Sequence, residues 1–283
     1  MVIRMNVIAE GFAFLEGPRW REDSLYFSDM HSEAVFRWCE GKGVEKVVEV
    51  RERPSGLGWD PQGRLLIVSM RNRSLLRWDG SQLETVADLS SIATFDTNDM
   101  VVDARGGAYI GNFGSSIEGE GTVFPDPAKL AYVSPDGQAR VVAEDLLFPN
   151  GSVITPDGKT LIVGETFAGR MTAFDIQSDG SLENRRIWAE MTGRAPDGCC
   201  LDDAGAVWVA SPTTNDFVRV REGGEILDRI EVDRMAIACT LGGPDGRSLF
   251  LLTSKTTESA EARRAKSARI EEHRVQVPSG NSP

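Results

Sequence analysis

One unit recurs six times along this chain. The copies REDSLYFSDM, PQGRLLIVSM, ARGGAYIGNF, PDGKTLIVGE, DAGAVWVASP and PDGRSLFLLTS each run from a polar turn into an apolar strand. Their first strand residues, Leu25, Leu65, Ala108, Leu161, Val207 and Leu249, lie 40, 43, 53, 46 and 42 residues apart. A repeat of this length constrains architecture more than any single motif. A unit too small to bury its own apolar face must stack on copies of itself. Each anchor strand is followed by two more, as in AVFRWCEGKGVEKVVEV and LLRWDGSQLETVADL. Short β-branched strands separated by GKG, DG or GG turns are hairpins. Each unit is therefore predicted to be a four-stranded antiparallel meander. Six of them make an all-β, six-bladed β-propeller occupying residues 1–283 as a single domain.

Closure of the ring is also written in the termini. The N-terminal NVIAEGFAFLEGP resembles the internal RVVAEDLLFPNG, where an outer strand leads into the next blade. The first residues are thus expected to be the outermost strand of the last blade, beside the C-terminal RIEEHRVQVP. A blade shared by both ends covers sheet edges that would otherwise be exposed. Two segments fall outside the repeat. Residues 115–127, SSIEGEGTVFPDP, lengthen the third interval as an inserted loop. Residues 256–268, TTESAEARRAKSA, have helix-forming composition and a Glu261–Arg264 spacing that supports one.

Composition narrows the function. The net charge is −12, which disfavours nucleic acid or an anionic membrane as a partner. No apolar run is long enough to span a bilayer, and the N-terminus lacks a secretory signal pattern. Cys39, Cys199, Cys200 and Cys239 match neither a zinc knuckle nor a CxxC pair. They are expected to be reduced and mostly buried, in preference to a vicinal Cys199–Cys200 disulfide, which suits a cytoplasmic protein. The two histidines, His31 and His273, are too few for a His-rich zinc site and are expected in a loop and on the surface. There is no GxSxG elbow, Walker loop or dinucleotide fingerprint. The six tryptophans recur at strand positions and are expected to pack blades.

The repeat gives candidate site residues a common coordinate. Glu16 in LEGPRW lies 9 residues before its anchor, Ser55 and Asn98 lie 10 before, Asn150 lies 11 before and Asp197 lies 10 before. In the last unit the equivalent is Cys239 or Thr240. These positions open the innermost strand of each blade, so they should converge on the axis at one mouth. Asn, Asp and Gly-Pro also favour turns at strand entries for backbone reasons. Glu16, Asn98, Asn150 and Asp197 together, at matched offsets, make an all-oxygen cluster. Two carboxylates there need a compensating charge, and a hard divalent cation supplies it.

At these residues the chain resembles the SMP-30/gluconolactonase/luciferin-regenerating-enzyme family. The carriers are LEGPRW, PSGLGWDPQGRLL, NDMVVDARGGAY, FPNGSVITPDGKTLIVGET, APDGCCLDDAGAVWVA and CTLGGPDGRSLF, in that order over nearly the whole chain. The resemblance implies a six-bladed propeller with one catalytic divalent ion in its channel. It implies metal ligands at Glu16, Asn150 and Asp197, with Asn98 beside the ion contacting substrate or water. Calcium is the expected ion from the oxygen donors, with zinc, manganese and magnesium as alternatives. The implied activity is metal-dependent opening of a small-molecule lactone to a hydroxy acid, with Asp197 deprotonating or orienting the attacking water. A non-catalytic binding scaffold, or action on another ester or a phosphotriester, is the alternative. Sugar-lactone members similar to regucalcin carry a substrate-holding arginine two residues before the ND-pair Asn. Here that residue is Asp96, and Gly114 to Pro127 shows no clear match to theirs. This weighs against a gluconolactone-type substrate more than against the metal.

Overall fold

A computed structural model describes residues 5–116 and 126–280. Six antiparallel sheets of four strands stand around a central channel. Their innermost strands begin at Leu15–Arg21, Pro54–Trp59, Thr97–Val102, Pro149–Ile154, Cys199–Leu201 and Met235–Gly242, which number blades one to six. Within blades one to five the chain steps outward strand by strand. In blade six it does not. There Met235–Gly242 pairs with Ser248–Ser254, then Ala268–Arg274, and the outermost place is taken by Asn6–Phe12 from the N-terminus. The ring closes as the sequence predicts.

The strand patterns follow from position in the blade. Inner strands are covered on both faces, so LLIVS at Leu65–Ser69 is buried throughout. A strand buried on both faces has no need of alternation. Outermost strands meet solvent, and GVEKVVE at Gly43–Glu49 buries only Val48 fully. Six apolar clusters fill the interfaces among the described residues, five drawn from two adjacent blades and the sixth, centred on blades six and one, reaching Met70 of blade two as well. The interface between blades six and one joins Leu25 and Phe27 to Ile237, Phe250 and Ile270. Trp20 stacks on Phe250 across it, with ring centroids 5.2 Å apart.

Residues 256–268 contain a short helix, Ser259–Ala265. Glu261 does not act through Arg264 as the spacing predicts. It accepts a hydrogen bond from the Thr256 hydroxyl at 3.2 Å and so ties down the entry to the helix. The helix packs beside the 3-10 turn Met30–Ser32 of blade one, where His31 Nε2 lies 3.4 Å from the Thr257 carbonyl. His31 is thus in a loop but buried, and burial and the Arg53 charge lower its pKa. His273 is half-buried in the closing blade. All four cysteines are free, with Cys199 and Cys239 buried and Cys39 and Cys200 partly so. Of the 115–127 insertion, residues 117–125 lie outside the described residues.

Buried ion pairs tie blade four's strands together. Glu165 is fully buried and receives the Leu147 N–H at 2.9 Å, Arg170 Nε at 2.9 Å and Arg185 Nη2 at 3.3 Å. Burial alone would raise this carboxyl. Hydrogen bonds from Arg170, Thr172 and Leu147 outweigh it and hold Glu165 below its ordinary value. A depressed carboxyl stabilises the fold above its unfolded pKa and loses that contribution as pH falls through the folded pKa. Glu165→Gln is therefore expected to cost about 2 kcal/mol at neutral pH, less than a fully buried pair because both arginines are partly exposed. Urea titration should find the gap to wild type steady at neutral pH and closing below pH 4.5. A gap independent of pH would show that the charge does not matter.

Candidate active site

The innermost strands share a local irregularity that positions the site. Their pairing with the second strand is interrupted between Glu16 and Arg19, Pro54 and Leu57, Thr97 and Met100, Pro149 and Ser152, and Ala236 and Ala238. Blade five makes an equivalent arrangement just before its strand, with Asp197 N donating to the Ala210 carbonyl and Ala210 N to the Gly198 carbonyl. A bulge bends the strand and re-aims a side chain. Here it turns one residue of each blade toward the axis: Glu16, Ser55, Asn98, Asn150, Asp197 and Ile237. The sequence expectation for blade six is corrected. Ile237 occupies that level, not Cys239 or Thr240. Cys239 hydrogen-bonds toward the Trp208 carbonyl between blades, and Thr240 lines the other end of the channel.

Glycine follows the site residue in four of the six blades because the next blade lies against it. A Cβ at Gly151 would stand 2.3 Å from the Asp197 carbonyl oxygen, and one at Gly198 would stand 2.3 Å from Ala238 Cβ. The NG and DG pairs are thus packing requirements of the ring. Gly151→Ala is expected to cost about 3 kcal/mol in urea unfolding, because a rigid strand pair cannot yield that distance. An unchanged midpoint would mean that the inner ring has slack.

The four candidate residues come together, all buried. Ser55 Oγ donates to Asn98 Oδ1 at 3.3 Å, and Asn98 Nδ2 donates to Asn150 Oδ1 at 2.9 Å. Asn150 Nδ2 in turn donates to Thr166 Oγ1 at 3.1 Å, whose hydroxyl donates to the Pro196 carbonyl at 2.7 Å. One chain of hydrogen bonds therefore spans blades two to five and orients both amides. It ends beside Asp197, whose Oδ1 is buried with no hydrogen-bond partner. Such an orphaned acceptor is costly unless something meets it.

Electrostatics give the same result. Burial pushes the Asp197 carboxyl up to about 8, with the Asn150 amide opposing the rise and the Asp99 charge adding to it. Burial likewise raises Glu16 well above the carboxylate range. Asp197 and Asp99 add to that rise, while the Gly17 N–H and Arg19 oppose it. Both groups would be relieved by positive charge.

Two residues beyond the sequence-based set shape the site. Asp99 sits where four of the other blades carry glycine and is buried at 3% exposure. It pairs with Arg19 at 3.1 Å, and the same guanidinium donates to the Met100 carbonyl. The only sequence signal was the second letter of the ND pair. This ion pair lies between the candidate site and a cavity of about 900 Å³ at the opposite end of the channel, lined by Trp20, Trp59, Cys200, Thr240 and Leu241. That large cavity includes none of the four candidate residues. The candidate site is marked by its orphaned carboxylate oxygen and not by cavity size.

The residues fit a hard divalent cation. Among the described residues no three His, Cys, Asp or Glu side chains gather as a metal cluster. The oxygen atoms available to hold one are those of the Glu16 and Asp197 carboxylates and the Asn150 amide. All-oxygen ligation of this kind suits calcium or a similar ion.

Comparison with known proteins bears on the fold and the family. The chain is 26% identical over 253 residues to the 6-deoxy-6-sulfogluconolactonase of Pseudomonas putida, covering 87% of this chain and 85% of that one. The structure of a luciferin-regenerating enzyme superposes with a TM-score of 0.82 at 17% identity, covering 98% of this chain and 97% of the other. A calcium-binding regucalcin from Agrobacterium tumefaciens superposes with a TM-score of 0.79 at 19% identity, covering 97% and 96%. The profile described as SMP-30/Gluconolactonase/LRE-like region matches residues 14–255. With that span and the propeller it encloses, the chain belongs to the SMP-30/gluconolactonase/LRE-like family.

Proposed function

We propose that this protein is a metal-dependent lactonase. The observation that carries the reading is the pair of buried carboxylates, Glu16 and Asp197, meeting at one mouth with Asp197 Oδ1 left without a protein partner. Glu16, Asn150 and Asp197 would hold the ion, which calcium suits best, and when bound it polarises the lactone carbonyl and stabilises developing negative charge. Asn98, fixed by Ser55 and Asn150, orients the substrate or the water. Asp197 takes a proton from the attacking water as its oxygen bonds to the carbonyl carbon. The ring C–O bond then breaks, and that proton passes to the departing ring oxygen. One water is consumed and one hydroxy acid is formed. A carboxylate with two oxygens serves both as ligand and as proton acceptor. The likeness to a sugar-acid lactonase supports the substrate class, and the fold shared with a calcium-binding regucalcin supports the ion.

The test is acid release from a panel of aliphatic and sugar lactones by chelator-stripped protein, with calcium, zinc, manganese and magnesium restored singly. Activity is expected to vanish on stripping and to return with calcium. Protein that carries bound metal yet opens no lactone would refute the substrate. Protein that binds none of the four ions would refute the site.

A further inference from the structure

We infer that Cys200 and Cys239 are an oxidisable dithiol, in which Cys200 reduces a peroxide and Cys239 then closes a disulfide between blades five and six. This holds whether or not the protein opens lactones. Cys200 Sγ lies 3.9 Å from Cys239 Sγ, although the residues are 39 apart in sequence. The backbone brings them together. Gly198 N donates to the Ile237 carbonyl at 2.9 Å, which joins the two blades directly. Each cysteine stands two residues on from one end of that bond. So close an approach is possible because Gly198 has no Cβ, which would stand 2.3 Å from Ala238 Cβ.

The pairing is specific. Cys199 neighbours Cys200 but belongs to the apolar cluster between blades four and five. Cys200 packs against the cluster between blades five and six, which contains Cys239. Successive residues of a strand point to opposite faces, so Cys199 and Cys200 are held in different interfaces. Cys39 is remote from both, on the third strand of blade one.

The two thiols are unequal, and this divides the work between them. Cys200 is half-buried and lines the cavity of about 900 Å³, where a small peroxide can meet it. Cys239 is buried, and its thiol donates toward the Trp208 carbonyl at 3.5 Å. Burial pushes that thiol well up, so Cys239 keeps its proton until an electrophile is beside it. The Cys200 sulfur attacks one peroxide oxygen and the O–O bond breaks. Cys200 becomes a sulfenic acid, and its proton leaves with the departing hydroxide as water. The Cys239 sulfur then attacks the Cys200 sulfur and the S–O bond breaks. The Cys239 proton leaves with that hydroxide as a second water. Two thiols lose two electrons, and one hydrogen peroxide is reduced to two waters. The sulfurs must close to about 2.0 Å. The backbones are already bonded together, and the cavity beside Cys200 gives its side chain room to turn.

The experiment uses the full chain with Cys39→Ser, which leaves Cys199, Cys200 and Cys239 as the only thiols. The protein is reduced, freed of reductant and metal, and treated with a modest excess of hydrogen peroxide at mildly alkaline pH. Thiols counted by alkylation in denaturant should fall from three to one and return to three with dithiothreitol. Peptide mapping should find Cys200 bonded to Cys239 and Cys199 alkylated. With Cys239→Ser added, the bond cannot close, and dimedone should label Cys200 at least about tenfold more than in the parent. Three thiols surviving an exposure that fully oxidises free dithiothreitol would overturn the inference. So would Cys200 carried on to sulfinic acid with Cys239 still reduced, or a bond that involves Cys199. The map of the parent alters nothing between blades five and six, so it decides the matter however well Cys239→Ser folds.

Discussion

Asp197→Ala is expected to open lactones at least about a thousandfold more slowly than wild type, because it removes a cation ligand and the proton acceptor together. Asp197→Asn separates chemistry from packing. It keeps the side-chain volume, so it should also be nearly inactive. Its metal-free form should nevertheless melt higher than metal-free wild type. The sign follows from burial. The folded carboxyl titrates at about 8, above its ordinary 3.8. A carboxyl raised in this way opposes folding once pH passes its unfolded value, and the penalty grows until pH reaches the folded value. At pH 7 the neutral amide should therefore recover on the order of 3 kcal/mol in the metal-free state. An Asn variant that retains a tenth of wild-type activity would remove Asp197 from the mechanism. A metal-free Asn variant less stable than wild type would show that the site is relieved in some other way.

The second large effect is that of the cation on stability. Calcium at a hundredfold excess over its dissociation constant should add about 2.7 kcal/mol. For a chain of this size that is about 5 °C in Tm by calorimetry. Glu16→Gln should abolish most of this shift while leaving the metal-free fold intact, because it removes one of only two charged donors. The calcium-induced shift should also shrink as pH falls from 8 toward 4, since both carboxylates must give up protons to bind a cation. A full calcium shift in Glu16→Gln would refute the ligand assignment. A calcium shift that grew on acidification would refute the carboxylate site altogether.

Glu16, Asn98, Asn150 and Asp197 were legible in the sequence because the repeat supplies a coordinate system. A residue about ten positions before each anchor strand opens an innermost strand, and all such residues meet on one axis. The count failed in blade six for a definite reason. Ile237 lies 12 residues before Leu249, against 9 to 11 elsewhere. The paired strands there, Met235–Gly242 and Ser248–Ser254, are longer than their counterparts. Offsets counted along the chain do not register a longer hairpin arm, although the pleat does.

Asp99 and Arg19 were beyond reach for another reason. Nothing local distinguishes an aspartate aimed at solvent from one aimed at a guanidinium 80 residues away. Thr166, which joins Asn150 to the Pro196 carbonyl, is equally silent in sequence, because its role depends on blades four and five standing side by side.

The chain alone determined the number of blades, the closing strand and the family, since these rest on local periodicity and turn chemistry that repeat six times. Tertiary structure decided which side chain of each blade reaches the axis, where the channel is divided, and which end carries the unpaired carboxylate. Those outcomes depend on bulge placement and on distances between blades. Such quantities are set by packing across the ring and have no counterpart in the order of residues along one strand.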